Sequence, residues 1–129
     1  MPSPPQITGL SALTLATQDI DRAIAFYTAL GFALVKHNRE AHFATFRAGM
    51  QYLNITAERP DCKPHWWGRG IFYVDNVDAM YAHAVKAGIT PEFPPRDAPW
   101  GERYFHLMDP DGHELSFAHP LPIASRTHP

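Results

Sequence analysis

The sequence predicts an α+β fold built from two tandem β-α-β-β-β modules, a curved sheet around a cleft with the helices on its outer face. Three observations carry this expectation. Residues from Leu15 onward align with residues 57 positions later, without a gap, over more than twenty positions. In each copy an apolar stripe at helical spacing follows an acidic turn and stops at a glycine. Short apolar runs bounded by turn residues then complete each copy.

Each element follows from its residues. Asp19 and Asn76 stand where a helix start needs a side-chain oxygen for its unpaired amides. The helices after them present Ile20, Ala23, Ile24, Tyr27 and Leu30 in the first copy, and Val77, Met80, Tyr81, Ala84 and Ala87 in the second. Gly31 and Gly88 supply left-handed C-terminal caps. Strands are expected at 32–36, 42–46 and 51–56 in the first copy, and at 69–75, 103–108 and 114–118 in the second. Asp109, Pro110, Asp111 and Gly112 form a tight turn between the last two. The proline-laden stretch 91–101, with Phe93, Asp97 and Trp100, reads as a long stiff loop suited to a lid or an interface arm.

A chain of 129 residues, 45% apolar and 19% charged, is expected to fold as a single domain over residues 1–129 without disulfides. Its modules span about 7–57 and 67–119, and proline-rich ends, Pro2 to Pro5 and Pro120 to Pro129, read as irregular tails. A net charge of -2 with scattered Arg and Lys gives no field for a phosphate backbone, so nucleic acid is not an expected partner. No apolar run approaches the roughly 20 residues that span a bilayer, and no signal peptide is read at the start. With one cysteine, Cys62, read as incidental, the expected compartment is the cytoplasm.

The repeat, Asp19–Phe32 (Asp-Ile-Asp-Arg-Ala-Ile-Ala-Phe-Tyr-Thr-Ala-Leu-Gly-Phe) and Asp109–Phe117 (Asp-Pro-Asp-Gly-His-Glu-Leu-Ser-Phe) together resemble the vicinal oxygen chelate superfamily, from about Gly9 to Leu121. This group contains glyoxalases, bleomycin-resistance proteins and extradiol dioxygenases. The resemblance implies a cleft, often completed across a homodimer, that chelates a divalent metal or traps a small molecule. It places the metal ligands, usually His, Glu or Gln, at Ala12, at Leu53 or Asn54, at Arg69 and at Ser116. None of these offers a carboxylate or imidazole, and Arg69 brings a positive charge, so the usual metal site is expected to be absent. Glu114 and His106 are the fallback donors.

The remaining polar residues each have a bland reading and a sharp one. His37, His119 and His128 read as solvated, His83 as a packing or surface residue, and His113 as closing the hairpin, whereas His65 and His106 are kept as site candidates. Trp66 and Trp67 are adjacent and point apart. They are read either as anchors between the modules or as an aromatic wall, with Arg69 as an anion anchor. Glu102 is either a general base or a salt-bridge partner of Arg103, Arg96 or Arg69.

The favoured reading is a small-molecule-binding protein, similar to bleomycin-resistance proteins, with Tyr52, Asn54, Trp66, Trp67, Arg69, Trp100, Tyr104, His106 and Ser116 about the ligand and no cofactor. The alternative is a metal-dependent glyoxalase-like lyase or isomerase, or a ring-cleaving dioxygenase. It would have Glu102 and His106 as catalytic residues and a divalent Zn, Ni, Mn or Fe on displaced ligands. In both, a homodimer is the expected assembly.

Overall fold

The computed structural model describes residues 4–122. The first module runs β1 (Ala12–Ala16), α1 (Ile20–Leu30), β2 (Ala33–Asn38), β3 (Phe43–Ala48) and β4 (Gln51–Thr56). The second runs β5 (Arg69–Tyr73), α2 (Val77–Lys86), β6 (Arg96–Asp97), β7 (Glu102–Met108) and β8 (Glu114–Pro120). Each module makes a four-stranded sheet, in the orders β1-β4-β3-β2 and β5-β8-β7-β6, so the sequence repeat is a repeat of topology. In both, the outer first strand runs parallel to the last, and the other neighbours are antiparallel.

The caps read in the sequence are present. The Asp19 carboxylate accepts the Arg22 amide and the Asn76 side chain accepts the Ala79 amide, each at 3.0 Å. Gly31 and Gly88 take φ of +115° and +87°, a region that costs a residue with a Cβ. Ala23, Tyr27 and Leu30 of α1 are fully buried, as are Val77 and Ala84 of α2. Ala87 departs from the expected stripe. It caps α2 and is exposed, because the helix ends one residue earlier.

Alternation along the strands sends Phe46, Leu53, Ile55, Phe105, Leu107, Leu115 and Phe117 into one core with the helices. Edge-to-face contacts of Phe32 with Phe72, at 5.2 Å between centroids, carry that core from one module to the other. Leu53 therefore belongs to the core, and Asn54, on the opposite face, is the residue that answers to Ser116.

The Asp109–Gly112 turn does more than reverse the chain. Asp109 accepts its own turn amides at Asp111 and His113, and its second oxygen accepts the hydroxyl of fully buried Tyr27 at 2.7 Å. Asp111 accepts the Thr17 hydroxyl at 2.5 Å, the Gln18 amide at 3.1 Å and the Arg22 guanidinium at 2.8 Å. His113 accepts from the Trp67 indole and donates its other ring nitrogen to the Ala16 carbonyl, both at 2.7 Å. The second module's hairpin thus clasps the start of α1 in the first.

Three expectations are corrected. The stretch 91–101 is not a free lid, since Arg96–Asp97 pairs with β7 as β6 and Arg103 bonds Asp97 at 2.9 Å. His119 is not solvated; it accepts the Val77 amide at 2.9 Å and helps to start α2. His37 lies in β2 and is half-buried, which corrects its placement in a turn. Most of the expected tails, and His128, lie outside the described residues.

Replacing Tyr27 with phenylalanine leaves a buried carboxylate oxygen unpaired and is expected to cost about 1–3 kcal/mol in urea denaturation. Burial, and next the Asp109 carboxylate, push the Tyr27 hydroxyl well above its ordinary pKa. Above about pH 10 the unfolded chain loses this proton and the folded chain keeps it, so stability falls as pH rises. That alkaline slope should be shallower in Tyr27→Phe, and an unchanged slope would refute the assignment.

Candidate functional site

Because Leu115 and Phe117 point into the core, Glu114, Ser116 and Ala118 point to the other face of the second sheet. Register places Arg69, Ile71 and Tyr73 beside them on β5, and Met108, His106 and Tyr104 on β7. A charged cluster forms there. Arg69 donates from Nε to Glu114 Oε1 at 2.6 Å, and the Trp66 indole reaches the same oxygen at 3.4 Å. His106 Nδ1 lies 3.9 Å from Glu114 Oε2. Glu92 joins them because its amide donates to the His106 carbonyl at 2.9 Å, and one donor atom each of Glu92, His106 and Glu114 lie within 4.8 Å of one another.

The three groups titrate in different directions. Burial, and then the hydrogen bond and charge of Glu114, raise the Glu92 carboxyl above the ordinary range. At Glu114 burial acts the same way, but hydrogen bonds from Glu92, Arg69 and Trp66 outweigh it and hold the carboxyl low. Burial lowers His106, helped by Arg69 and opposed by Glu114. Of the two carboxyls, Glu92 is therefore the one that takes up a proton first, while Arg69 acts as counter-ion to Glu114 and burial favours the neutral imidazole at His106.

From His106 a strip of rings continues along the face. Tyr104 lies 5.2 Å from His106 and 5.4 Å from Trp100, and Phe93 packs edge-on against Tyr104 and His106. Arg96 lies 3.8 Å from the centre of the Phe93 ring and bonds the Tyr104 hydroxyl at 3.0 Å. Glu102 is held at the far end by the Trp100 indole at 2.9 Å and by the Tyr73 hydroxyl. Neither Arg69 nor Arg96 pairs with it, and Arg103 turns instead to Asp78 and Asp97, so the expected salt bridge is replaced by two neutral donors.

On the corresponding face of the first module the residues around Asn54 are neutral, and the charge comes from Arg47, two residues along β3 from Thr45. Thr45 donates to Asn54 at 2.8 Å and Asn54 donates to Thr14 at 3.2 Å, while Ala12 pairs with Tyr52. The positions at which the resemblance led one to expect metal ligands hold an alanine, an amide already engaged on both ends, an ion-paired arginine and a buried serine. That donor set does not fit a divalent ion.

Residues of both modules line a groove of about 950 Å³, among them Leu13, Phe32, Arg47, Tyr52, Arg69, Ile71, Tyr73, Met80 and Glu102. Of the residues expected about a ligand, Tyr52 and Arg69 line it; Asn54, Trp66, Trp67, Trp100, Tyr104, His106 and Ser116 do not. The expected set therefore splits into the groove and the adjoining cluster, and Trp67 leaves both for His113 at the module junction. His65 is exposed, and Cys62 is exposed with Arg59 at 3.0 Å from its sulfur. Sequence reasoning missed Glu92, Tyr73 and Arg47. Alternation with Phe46 could have marked Arg47 as facing away from the core; nothing periodic marks Glu92.

Two matched modules with a groove between them and a polar face beside it define a small α+β protein of the paired-module type. The sequence matches the Glyoxalase/Bleomycin resistance protein/Dioxygenase superfamily over residues 9–117, and the chain belongs to that family. It is similar to the bleomycin resistance determinant encoded on transposon Tn5, with 26% identity, a TM-score of 0.74, and coverage of 88% of this chain and 98% of that one. It is also similar to TioX from Micromonospora sp. ML1, with 24% identity, a TM-score of 0.73, and coverage of 88% and 99%. Lactoylglutathione lyase from Agrobacterium tumefaciens shares the fold at 22% identity and a TM-score of 0.71, with coverage of 90% and 95%.

In chelator-treated protein, the His106 imidazole is expected to titrate below its ordinary value of about 6.5 in proton NMR. Arg69→Gln removes the repelling charge and frees Glu114 to attract the proton, so the midpoint should rise. A midpoint that stays in place would show that Arg69 does not act on His106.

Proposed function

We propose that this chain is a small-molecule-binding protein, similar to bleomycin-resistance proteins, that works without a divalent metal at the family's usual positions. The observation that carries this reading is the groove of about 950 Å³, with apolar walls and a few polar groups drawn from both modules. That falls in the range of about 300–1,000 Å³ typical of sites for drug-sized ligands. In this reading the chain acts as one domain, in the cytoplasm, as a homodimer. Exposed Leu34 and Val35 on the edge strand β2 offer apolar surface that a second copy would cover. No helix among the described residues is long and apolar enough to cross a membrane.

A thermal-shift screen of small molecules tests the proposal, with Ile71→Trp as the control that fills the groove. Ile71 is 64% exposed, so the substitution leaves the core alone. A ligand at 100 times its Kd should raise Tm by on the order of 10 °C in the native protein and little in the variant. Equal shifts in both would place binding elsewhere and reject the groove.

A second reading is favoured by one observation, the convergence of Glu92, His106 and Glu114. Two carboxylates and a neutral imidazole form a donor set that suits zinc, nickel, manganese or ferrous iron, provided that Arg69 releases Glu114. A metal held there would supply Lewis-acid polarisation of an oxygen-bearing substrate, as a glyoxalase-like lyase or isomerase or a ring-cleaving dioxygenase requires. Calorimetric titration of the apo protein decides the matter. A site tighter than about 10 μM, or roughly -7 kcal/mol, that is lost in His106→Ala supports it. No binding at that level rejects it.

A further inference from the structure

We infer that the groove between the modules selects small organic anions, an apolar body carrying one carboxylate or sulfonate, and that Arg47 is the residue that holds the negative group. This deepens the binding reading above and rests on it. The argument begins with charge. The arginine, glutamate and histidine side chains of the groove lining are four: Arg47, Arg69, Glu102 and His83. Glu102 is already the acceptor for Tyr73 and Trp100, and His83 is engaged with the Ala29 carbonyl at 2.9 Å. Arg69 spends its Nε on Glu114.

Arg47 stands apart. Within the described residues no carboxylate lies within ion-pair distance of it, and its polar partner is the Tyr52 hydroxyl at a long 3.5 Å. Its guanidinium lies 5.1 Å from the centre of the Tyr52 ring. The ring lies beside the cation and one amino group makes the long bond to Tyr52, so Nε and the other amino group remain to donate, a pair that suits a two-pronged bond to an oxyanion. The register explains why the side chain is presented this way. Arg47 pairs with Tyr52 across β3 and β4, and its neighbour Phe46 takes the core side.

The rest of the lining sets the body of the ligand. Leu13, Phe32, Ile71, Phe72 and Met80 provide apolar walls, so an ion such as phosphate or acetate would leave most of the groove unfilled. An anion with a ring system or a branched chain would bury its carbon against these walls and place its charge at Arg47, with the free amino groups of Arg69 adding to the positive field.

The test is a fluorescence titration with two probes that share a ring frame, 1-anilinonaphthalene-8-sulfonate and N-phenyl-1-naphthylamine, which lacks the sulfonate. The native protein should bind the sulfonate about tenfold more tightly, a difference of about 1.4 kcal/mol. Arg47→Gln should abolish that preference and leave the neutral amine within about twofold of its native affinity, while Ile71→Trp weakens both. Arg47 is exposed, so its removal does not threaten the fold. If the native protein binds both probes alike, or Arg47→Gln leaves the sulfonate unchanged, anion selection is overturned and the groove reading stands. If Ile71→Trp leaves both titrations unaltered, the groove reading falls and this inference falls with it.

Discussion

The buried hydrogen bonds of Asp109 and Asp111 fix how the two modules sit on each other, and the groove exists because of that placement. Each carboxylate is surrounded by donors from the turn itself, from α1 or from the residues just before it, and Tyr27 and Asp109 are almost inaccessible to water. An uncompensated buried carboxylate costs several kcal/mol, so an orientation of the modules that broke these contacts would be strongly disfavoured. Apolar contacts such as Phe32 against Phe72 supply most of the adhesion, but they tolerate sliding. The polar clasp does not, and it therefore sets the spacing of β1 and β5. The fit is close there: a Cβ added at Gly70 would lie 2.8 Å from the Leu13 side chain.

Two modules with one topology have diverged in what they present. On the first, Thr14, Thr45 and Asn54 satisfy one another, and Arg47 is left without an acidic partner among the described residues. On the second, Arg69 and Glu114 form an ion pair backed by Glu92 and His106. The arginine stands where the resemblance led one to expect a metal ligand. A guanidinium supplies positive charge and directed donors, but it cannot accept an electron pair from a substrate oxygen as a metal does. The same face is thus suited to holding a ligand in place, and a metal would have to displace Arg69 to change that.

Much of the fold was legible in the sequence. The repeat, the caps at Asp19 and Asn76, the glycines at 31 and 88, and the strand at Gln51–Thr56 all depend on neighbours a few residues away. Such signals survive in a one-dimensional reading because propensity and hydrogen bonding act locally. The candidate site was legible in part. Trp66, Arg69, His106 and Glu114 were named from the aromatic run, the repeat and the strands around Ser116, and do meet. Glu92, four residues before β6 and amid prolines, gave no periodic sign.

By itself the sequence determined the topology of each module and the ends of its helices. Only the tertiary structure decided that Asp111 reaches across 89 residues to Arg22, that 91–101 is tied down by β6, and that Arg47 and Ile71 face one groove. The physical reason is range. Caps and turns close over three or four residues, whereas a groove, an ion pair or a clasp forms between segments whose meeting is set by packing of the whole core.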